Sequence, residues 1–364
     1  MRAAVFYGAG NLRIETRDDP SPAAGEVVIE VLACGVCGTD AHEYAAGPVM
    51  YPVRRRHAVT GHLGPMVPGH EFAGTVVEVG AGVEDLQPGD LVAGAAPLLC
   101  GRCRWCRSGR SNLCEGYATV GLHRDGALAG YCALPAAACL PVRDGGLGPD
   151  ALALAQPTAI AVHARSRSRL GAGESALVVG AGGVGAFLTL VLAEAGVPVW
   201  AVDLDESRLA VADALGAAGT LVAPEPHALG EALAARGFEP DVIFEASGTP
   251  AGLESAFRVA ARGRRVVLVG LQGGPASFDA RGSALGEVEI IGTNAFVRAV
   301  DLPEAVRLLG RDPGRLSALA PVALPLDEAV EGALAPMAQG APRQVKTLVD
   351  PWAEQARPTR MLQS

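Results

Sequence analysis

The stretch LVVGAGGVGAF, residues 177 to 187, constrains the fold of this chain more than any other. An apolar run ends at Gly180, Gly182 and Gly185 in a G-x-G-x-x-G spacing and passes directly into the helix-patterned FLTLVLAEAG. Such a strand–turn–helix aims backbone N–H groups and the positive helix end at one point, where a pyrophosphate binds. Gly183 and Val184 lie in the same turn and are candidate cofactor contacts with the three spaced glycines. VPVWAVD, ESRLAVADALG, DVIFEAS, AGLESAFRVAAR and RVVLVG come next, alternating strand with helix. This predicts an α/β fold of βαβ units around a doubly wound parallel sheet.

Asp203 closes the second of these strands, 18 residues after Gly185. An acid there hydrogen-bonds the adenosine ribose and repels a 2′-phosphate, so NAD(H) is expected over NADP(H). The other reading of Asp203 is an N-cap for the next helix. Arg208 is a further candidate contact, but Asp205 and Glu206 precede it and leave no obvious compensation for a second phosphate. Val269 and Gly270, at the end of RVVLVG, complete the candidate cofactor set.

The chain before about Ala155 is patterned differently, with short Val-rich runs (VVIEVLA, GTVVEVGAG, DLVAGAA) broken by Gly, Pro and Asp, as in an irregular β-rich domain. With 364 residues, two domains are expected. The formal charge of −9 argues against nucleic acid and anionic membrane as partners. The single short basic run, Arg54 to Arg56, reads as a solvated loop face. No charged-then-apolar leader and no apolar run of about 18 residues is visible, so a cytoplasmic protein is expected. There, eight cysteines serve as thiols or metal ligands rather than disulfides. The last ten residues read as a frayed tail.

Four of those cysteines, Cys100, Cys103, Cys106 and Cys114, are spaced C-x2-C-x2-C-x7-C. Four soft ligands in one loop suit a closed tetrahedral zinc site with a structural role; free thiols or an iron–sulfur ligand run are the alternatives. A second, dispersed set contains Cys37 in CGVCGTDAHEY and His70 with Glu71 in PGHEFAGTVVEVG. Cysteine, histidine and carboxylate from separate segments can bind zinc and leave one position open for substrate. The remaining cysteines, Cys34, Cys132 and Cys139, sit in apolar runs and read as core thiols.

The G-H-E-x2-G-x5-G block, the cysteine quartet and the later glycine fingerprint, in this order, resemble the zinc-containing medium-chain dehydrogenases. The resemblance implies a GroES-like catalytic domain over residues 1–155 completed by 295–364, with a Rossmann NAD-binding domain over 156–294 inserted. It implies two zinc ions per subunit, catalytic zinc on Cys37 and His70 with Glu71 in or beside the shell, and structural zinc on the quartet. It further implies NAD(H), an alcohol or ketone substrate, and a homodimer or homotetramer. Thr39 and His42 would relay the alcohol proton toward solvent. The long loop between Gly47 and Pro68 is similar to that of the (R,R)-2,3-butanediol dehydrogenase branch, which implies a vicinal diol or polyol substrate.

One residue departs from the family pattern: ALAQPTAIAVHA has Gln156 where relatives carry a carboxylate. At about 4 Å and an effective dielectric of about 20, the lost charge is worth up to roughly 4 kcal/mol of metal retention. Gln156 could instead hydrogen-bond a substrate hydroxyl, or simply start a helix. A cyclitol or amino-sugar dehydrogenase, and a cofactor-binding protein lacking catalytic zinc, are the competing functional readings.

Overall fold

The computed structural model describes residues 1–143 and 146–363. It divides into two compact units, one formed by Met1–Gln156 with Val297–Ser364 and the other by Pro157–Phe296.

The second unit is built on six parallel strands: Ala176–Val179, Val199–Asp203, Gly219–Val222, Val242–Glu245, Arg265–Leu268 and Glu289–Gly292. Numbered in chain order, they lie side by side as third, second, first, fourth, fifth and sixth. All four residues of Ala176–Val179 are buried, as expected for a parallel strand covered on both faces. Leu177, Val202, Ile243 and Val266 pack with Leu229, Leu233 and Ala256 in one cluster, and Ala181, Ala201, Leu209 and Ala212 form another. The order reverses between the first and fourth strands, whose last residues, Val179 and Glu245, stand in register. In an open α/β sheet, ligands bind beyond the carboxyl ends at such a reversal.

The first unit is organised by the long strand Glu26–Val36. It pairs antiparallel with Glu71–Val79, with Tyr131–Pro135 and, from the far end of the chain, with Thr347–Asp350. Val27, Ile29, Val31, Phe72, Val76, Leu134 and Val349 interlock in its core. Strand register sets Val36 opposite Thr347, and Gly35 opposite Glu71. The carboxyl end of one strand and the starts of two others therefore meet at one corner of the sheet.

The frayed tail expected from the sequence is not what forms. Asp150 is fully buried and needs a counter-charge, which the Arg357 guanidinium supplies through two hydrogen bonds of 2.7 and 3.0 Å. Arg357 also donates to Asp350 at 2.7 Å, and Leu362 bridges to Leu147. A polar tail is anchored here by a buried acid some two hundred residues away in sequence, a partnership no local pattern reveals.

Candidate metal and cofactor sites

At the corner described above, Cys37 ends the path of Glu26–Val36 and caps the helix Gly38–Ala46, while His70 and Glu71 open the strand Glu71–Val79. Gly69 has φ +102°, and a Cβ there would meet Cys34 Sγ and Leu128 N at 2.7 Å, so the turn that delivers His70 demands glycine. One donor atom each from Cys37, His70 and Glu71 lies within 4.8 Å of the others. Both His70 and Glu71 are buried.

Asp40, three residues into the helix, organises this cluster. Its carboxylate accepts the Cys37 N–H at 2.9 Å and the Tyr51 hydroxyl at 2.7 Å, and its Oδ1 lies 3.5 Å from His70 Nδ1. Burial alone would raise the Asp40 carboxyl, but the facing His70 and these donors hold it below its ordinary value. Burial likewise opposes charge on His70, yet Asp40 and Cys37 outweigh it and raise the ring well above the usual histidine range. Surroundings that favour a proton on His70 also favour a cation in its place. With Nδ1 turned to Asp40, Nε2 is the nitrogen left for a metal.

Lys346 Nζ forms an ion pair with Glu71 and donates to the Val36 carbonyl at 3.1 Å. Burial disfavours its charge, but Glu71 prevails and its pKa is raised. Neither Asp40 nor Lys346 was among the residues singled out from sequence. Lys346 had left a signal: it is the sole lysine in a chain whose other cations are all arginine. Asp40 left only its place at the third position of a capped helix.

Thr39 and His42 are on the same helix, three residues apart and so on one face. Thr39 Oγ1 is half-buried, 3.9 Å from Cys37 Sγ, and His42 is exposed. Gln156 lies in the first turn of Ala155–Ser168, its Oε1 buried without a hydrogen-bond partner among the described residues.

Cys100, Cys103, Cys106 and Cys114 also bring their sulfurs within 4.8 Å of one another. The Cys100 N–H points at Cys114 Sγ (3.3 Å) and the Cys103 N–H at Cys100 Sγ (3.4 Å). Backbone donors at Cys106 and Glu115 lower the Cys103 thiol to about 6, whereas burial pushes Cys106 up to about 12. All eight cysteines are free thiols. Four converging sulfurs with anion-stabilising amides fit the donor set of a tetrahedral zinc site.

In the other unit, Gly180 (φ +97°) turns the chain and Gly182 caps the helix Gly183–Glu194. A Cβ on Gly185 would overlap the Gly180 carbonyl oxygen, so this helix can approach its strand only through glycine. Gly183 is exposed and Val184 half-buried beside it. Asp203 Oδ2 accepts the Ala181 N–H at 2.7 Å, and Oδ1 accepts that of Asp205 at 3.0 Å. The cap of the next helix is Asp205, which accepts from Ser207 N at 2.8 Å; Asp203 is spared that task. Arg208 sits 3.5 Å from Asp203 and flanks Gly182. The Val269 and Gly270 amides donate to the Glu245 carbonyl at 2.9 and 2.8 Å. Glu245 itself, not foreseen from sequence, is fully buried and accepts from Ser247, Gly248 and Gln272.

Comparison with known proteins identifies the family. Residues 23–144 match the alcohol dehydrogenase GroES-like domain and residues 183–311 the zinc-binding dehydrogenase domain. L-threonine 3-dehydrogenase of Saccharopolyspora erythraea is 36% identical over 284 residues, 74% of this chain and 77% of that protein. (R,R)-butanediol dehydrogenase of Bacillus subtilis is 33% identical over 273 residues, 74% of this chain and 78% of its own. The crystal structure of 2R,3R-butanediol dehydrogenase from Bacillus subtilis superposes with a TM-score of 0.87 at 29% identity, covering 96% of this chain and 99% of that one. An Escherichia coli alcohol dehydrogenase complexed with NADH superposes at 0.82, 26% identity, over 96% and 99%. The chain belongs to the zinc-binding medium-chain alcohol dehydrogenase family, whose members are oxidoreductases using zinc and a nicotinamide cofactor.

Proposed function

We propose that this chain interconverts a secondary alcohol and its ketone with NAD(H), and that the alcohol is a vicinal diol or polyol. The observation that carries the reading is the convergence of half-buried Cys37 with the buried His70 and Glu71. These residues would hold the catalytic zinc, Cys100, Cys103, Cys106 and Cys114 a structural one, and the turn Gly180 to Gly185 the cofactor pyrophosphate. When bound, zinc supplies an electrophile that acidifies a hydroxyl, and the nicotinamide takes up the hydride.

The protein's own residues do the rest. Thr39 accepts the hydroxyl proton, and the exposed His42 on the same face exchanges it with solvent. Asp40 fixes the His70 ring so that one nitrogen faces the donor cluster. Gln156, with its unpartnered Oε1, offers an acceptor to a substrate hydroxyl. Asp203, Arg208, Val269 and Gly270 line the cofactor site, the Asp203 carboxylate favouring NAD(H) over its phosphorylated form. The similarity to (R,R)-butanediol dehydrogenase supports the diol.

The free thiols support a reducing, cytoplasmic setting. The edge strand Glu289–Gly292, with Ile290 41% exposed, supports a homodimer or homotetramer through strand pairing. The test is NADH formation at 340 nm from 2,3-butanediol isomers and short polyols by the zinc-loaded enzyme. Cys37→Ser should abolish it; activity surviving in that variant would refute the catalytic assignment.

A further inference from the structure

The loop after the helix Gly38–Ala46 lines a half-open cavity of about 640 Å³ with residues 48–52 and 54–58. Pro48 to Pro52 give its lining an apolar stretch, Arg54, Arg55, Arg56 and His57 a basic one, and none of the residues that line it is acidic. In a chain of formal charge −9, three guanidiniums around one cavity without a carboxylate are conspicuous. Arg56 is occupied, donating to the Gly61 carbonyl at 2.7 Å. Arg54 and Arg55 make no ion pair among the described residues.

The cavity is held in shape by side chains of the neighbouring helix. The Glu43 carboxylate accepts the Val49 and Met50 amides at 2.9 and 2.5 Å, and the Tyr51 hydroxyl donates to Asp40 at 2.7 Å. At the other end, the His57 N–H donates to the His62 carbonyl and the Gly61 N–H to that of His57, both at 2.9 Å. The His57 ring packs at a tilt of 31° against His123, with centroids 4.5 Å apart. Burial and the charge of Arg55 hold His57 below its ordinary pKa. Through Tyr51 and Asp40 the cavity is two polar contacts from His70 of the metal cluster.

We propose that this cavity receives an acidic group of the substrate, a carboxylate or phosphate monoester borne by a polyol, with Arg54 and Arg55 as its cations. A guanidinium matches either anion in a two-point geometry, and the volume suits the anion with several attached carbons. This assignment rests on the dehydrogenase reading and narrows its substrate class. Because both guanidiniums are exposed, solvent and salt screen them, and an effect of about tenfold is expected rather than one of many thousandfold.

The zinc-loaded enzyme is to be assayed with NAD⁺ and ribitol, ribonate or ribitol 5-phosphate, while the His57 ring resonances are titrated with the same compounds and with inorganic phosphate. The expected result is a higher kcat/KM for the acids than for ribitol, and saturable His57 shifts with the acids only. In Arg54→Gln/Arg55→Gln the acid-to-neutral ratio should fall about tenfold, chiefly through KM, and the acid-induced shifts should be lost. The control Arg262→Gln should preserve the ratio. Equal kcat/KM for ribitol and the acids, or His57 shifts that persist in the double variant, would overturn the proposal. So would inorganic phosphate shifting His57 as strongly as the acids without any rate advantage for them, which would make the cavity a free-anion site. Saturable shifts without NADH formation from any of the three, or from 2,3-butanediol, would instead fault the dehydrogenase reading and the substrate assignment with it, leaving anion binding intact.

Discussion

Replacing Lys346 by Met tests the electrostatics of the metal corner most directly. The side chains of Lys346 and Glu71 are only 7% and 2% exposed, so removing the ammonium strands a carboxylate in the interior. Breaking a buried pair from one side costs about 3 to 5 kcal/mol, and the donor lost at the Val36 carbonyl adds up to about 1 kcal/mol. A bound zinc would partly neutralise Glu71, so about 3 kcal/mol is expected in the loaded enzyme, roughly a hundredfold in the folded-to-unfolded ratio. Removing both charges should restore most of this, because an apolar pair of similar volume needs no desolvation. In metal-free protein, where the loss of Glu71 as a zinc ligand carries no weight, Lys346→Met/Glu71→Met should therefore lie within about 1 kcal/mol of the parent, giving a coupling energy of about 2 kcal/mol or more. The assay is urea denaturation in a Trp200→Phe background, where the signal reports the first unit: Trp352 packs on Tyr131 and donates to the Val31 carbonyl at 2.9 Å. A single variant costing less than about 1 kcal/mol, with additive effects in the double, would refute the argument.

Three further outcomes are expected. Cys103→Ser should reduce metal content by plasma mass spectrometry from two zincs per chain to one while NADH binding by fluorescence is retained; loss of both metals would contradict independent sites. Asp203→Ala should narrow the NAD⁺ over NADP⁺ preference in kcat/KM by roughly ten- to a hundredfold, the worth of a hydrogen bond to a charged group; an unchanged ratio would remove Asp203 from cofactor choice. Burial, reinforced by His57 and His70, lowers the His123 ring to about 4, and its Nδ1 accepts the Thr119 N–H at 3.0 Å. The unfolded chain thus takes up this proton more readily, so the stability at stake is present above pH 6.5 and is lost as pH falls toward about 4. His123→Asn, which keeps an acceptor, should flatten the urea midpoint against pH across that window, and an identical slope would show that His123 is not the titrating group.

The cluster geometry underlying these predictions was partly legible in the chain. Parallel strands buried on both faces must be continuously apolar, and a helix that closes on a strand must do so through glycine, so the doubly wound sheet and the Gly180 to Gly185 turn could be read from one segment. Four cysteines within fifteen residues are likewise joined by a loop too short to separate them. Cys37 and His70 could be paired only by resemblance, since thirty-two residues lie between them.

What tertiary structure alone decided is which distant charges meet. Strand register placed Lys346 against Glu71 and Val36, and burial of Asp150 and Asp350 drew Arg357 in from a tail that reads as frayed. Periodicity is a local property, written in neighbouring residues and recoverable from them. The partner of a buried charge is selected by the chain's path, because a desolvated carboxylate accepts whichever cation the sheet brings within reach, and no pattern in the sequence near Glu71 or Asp150 names it.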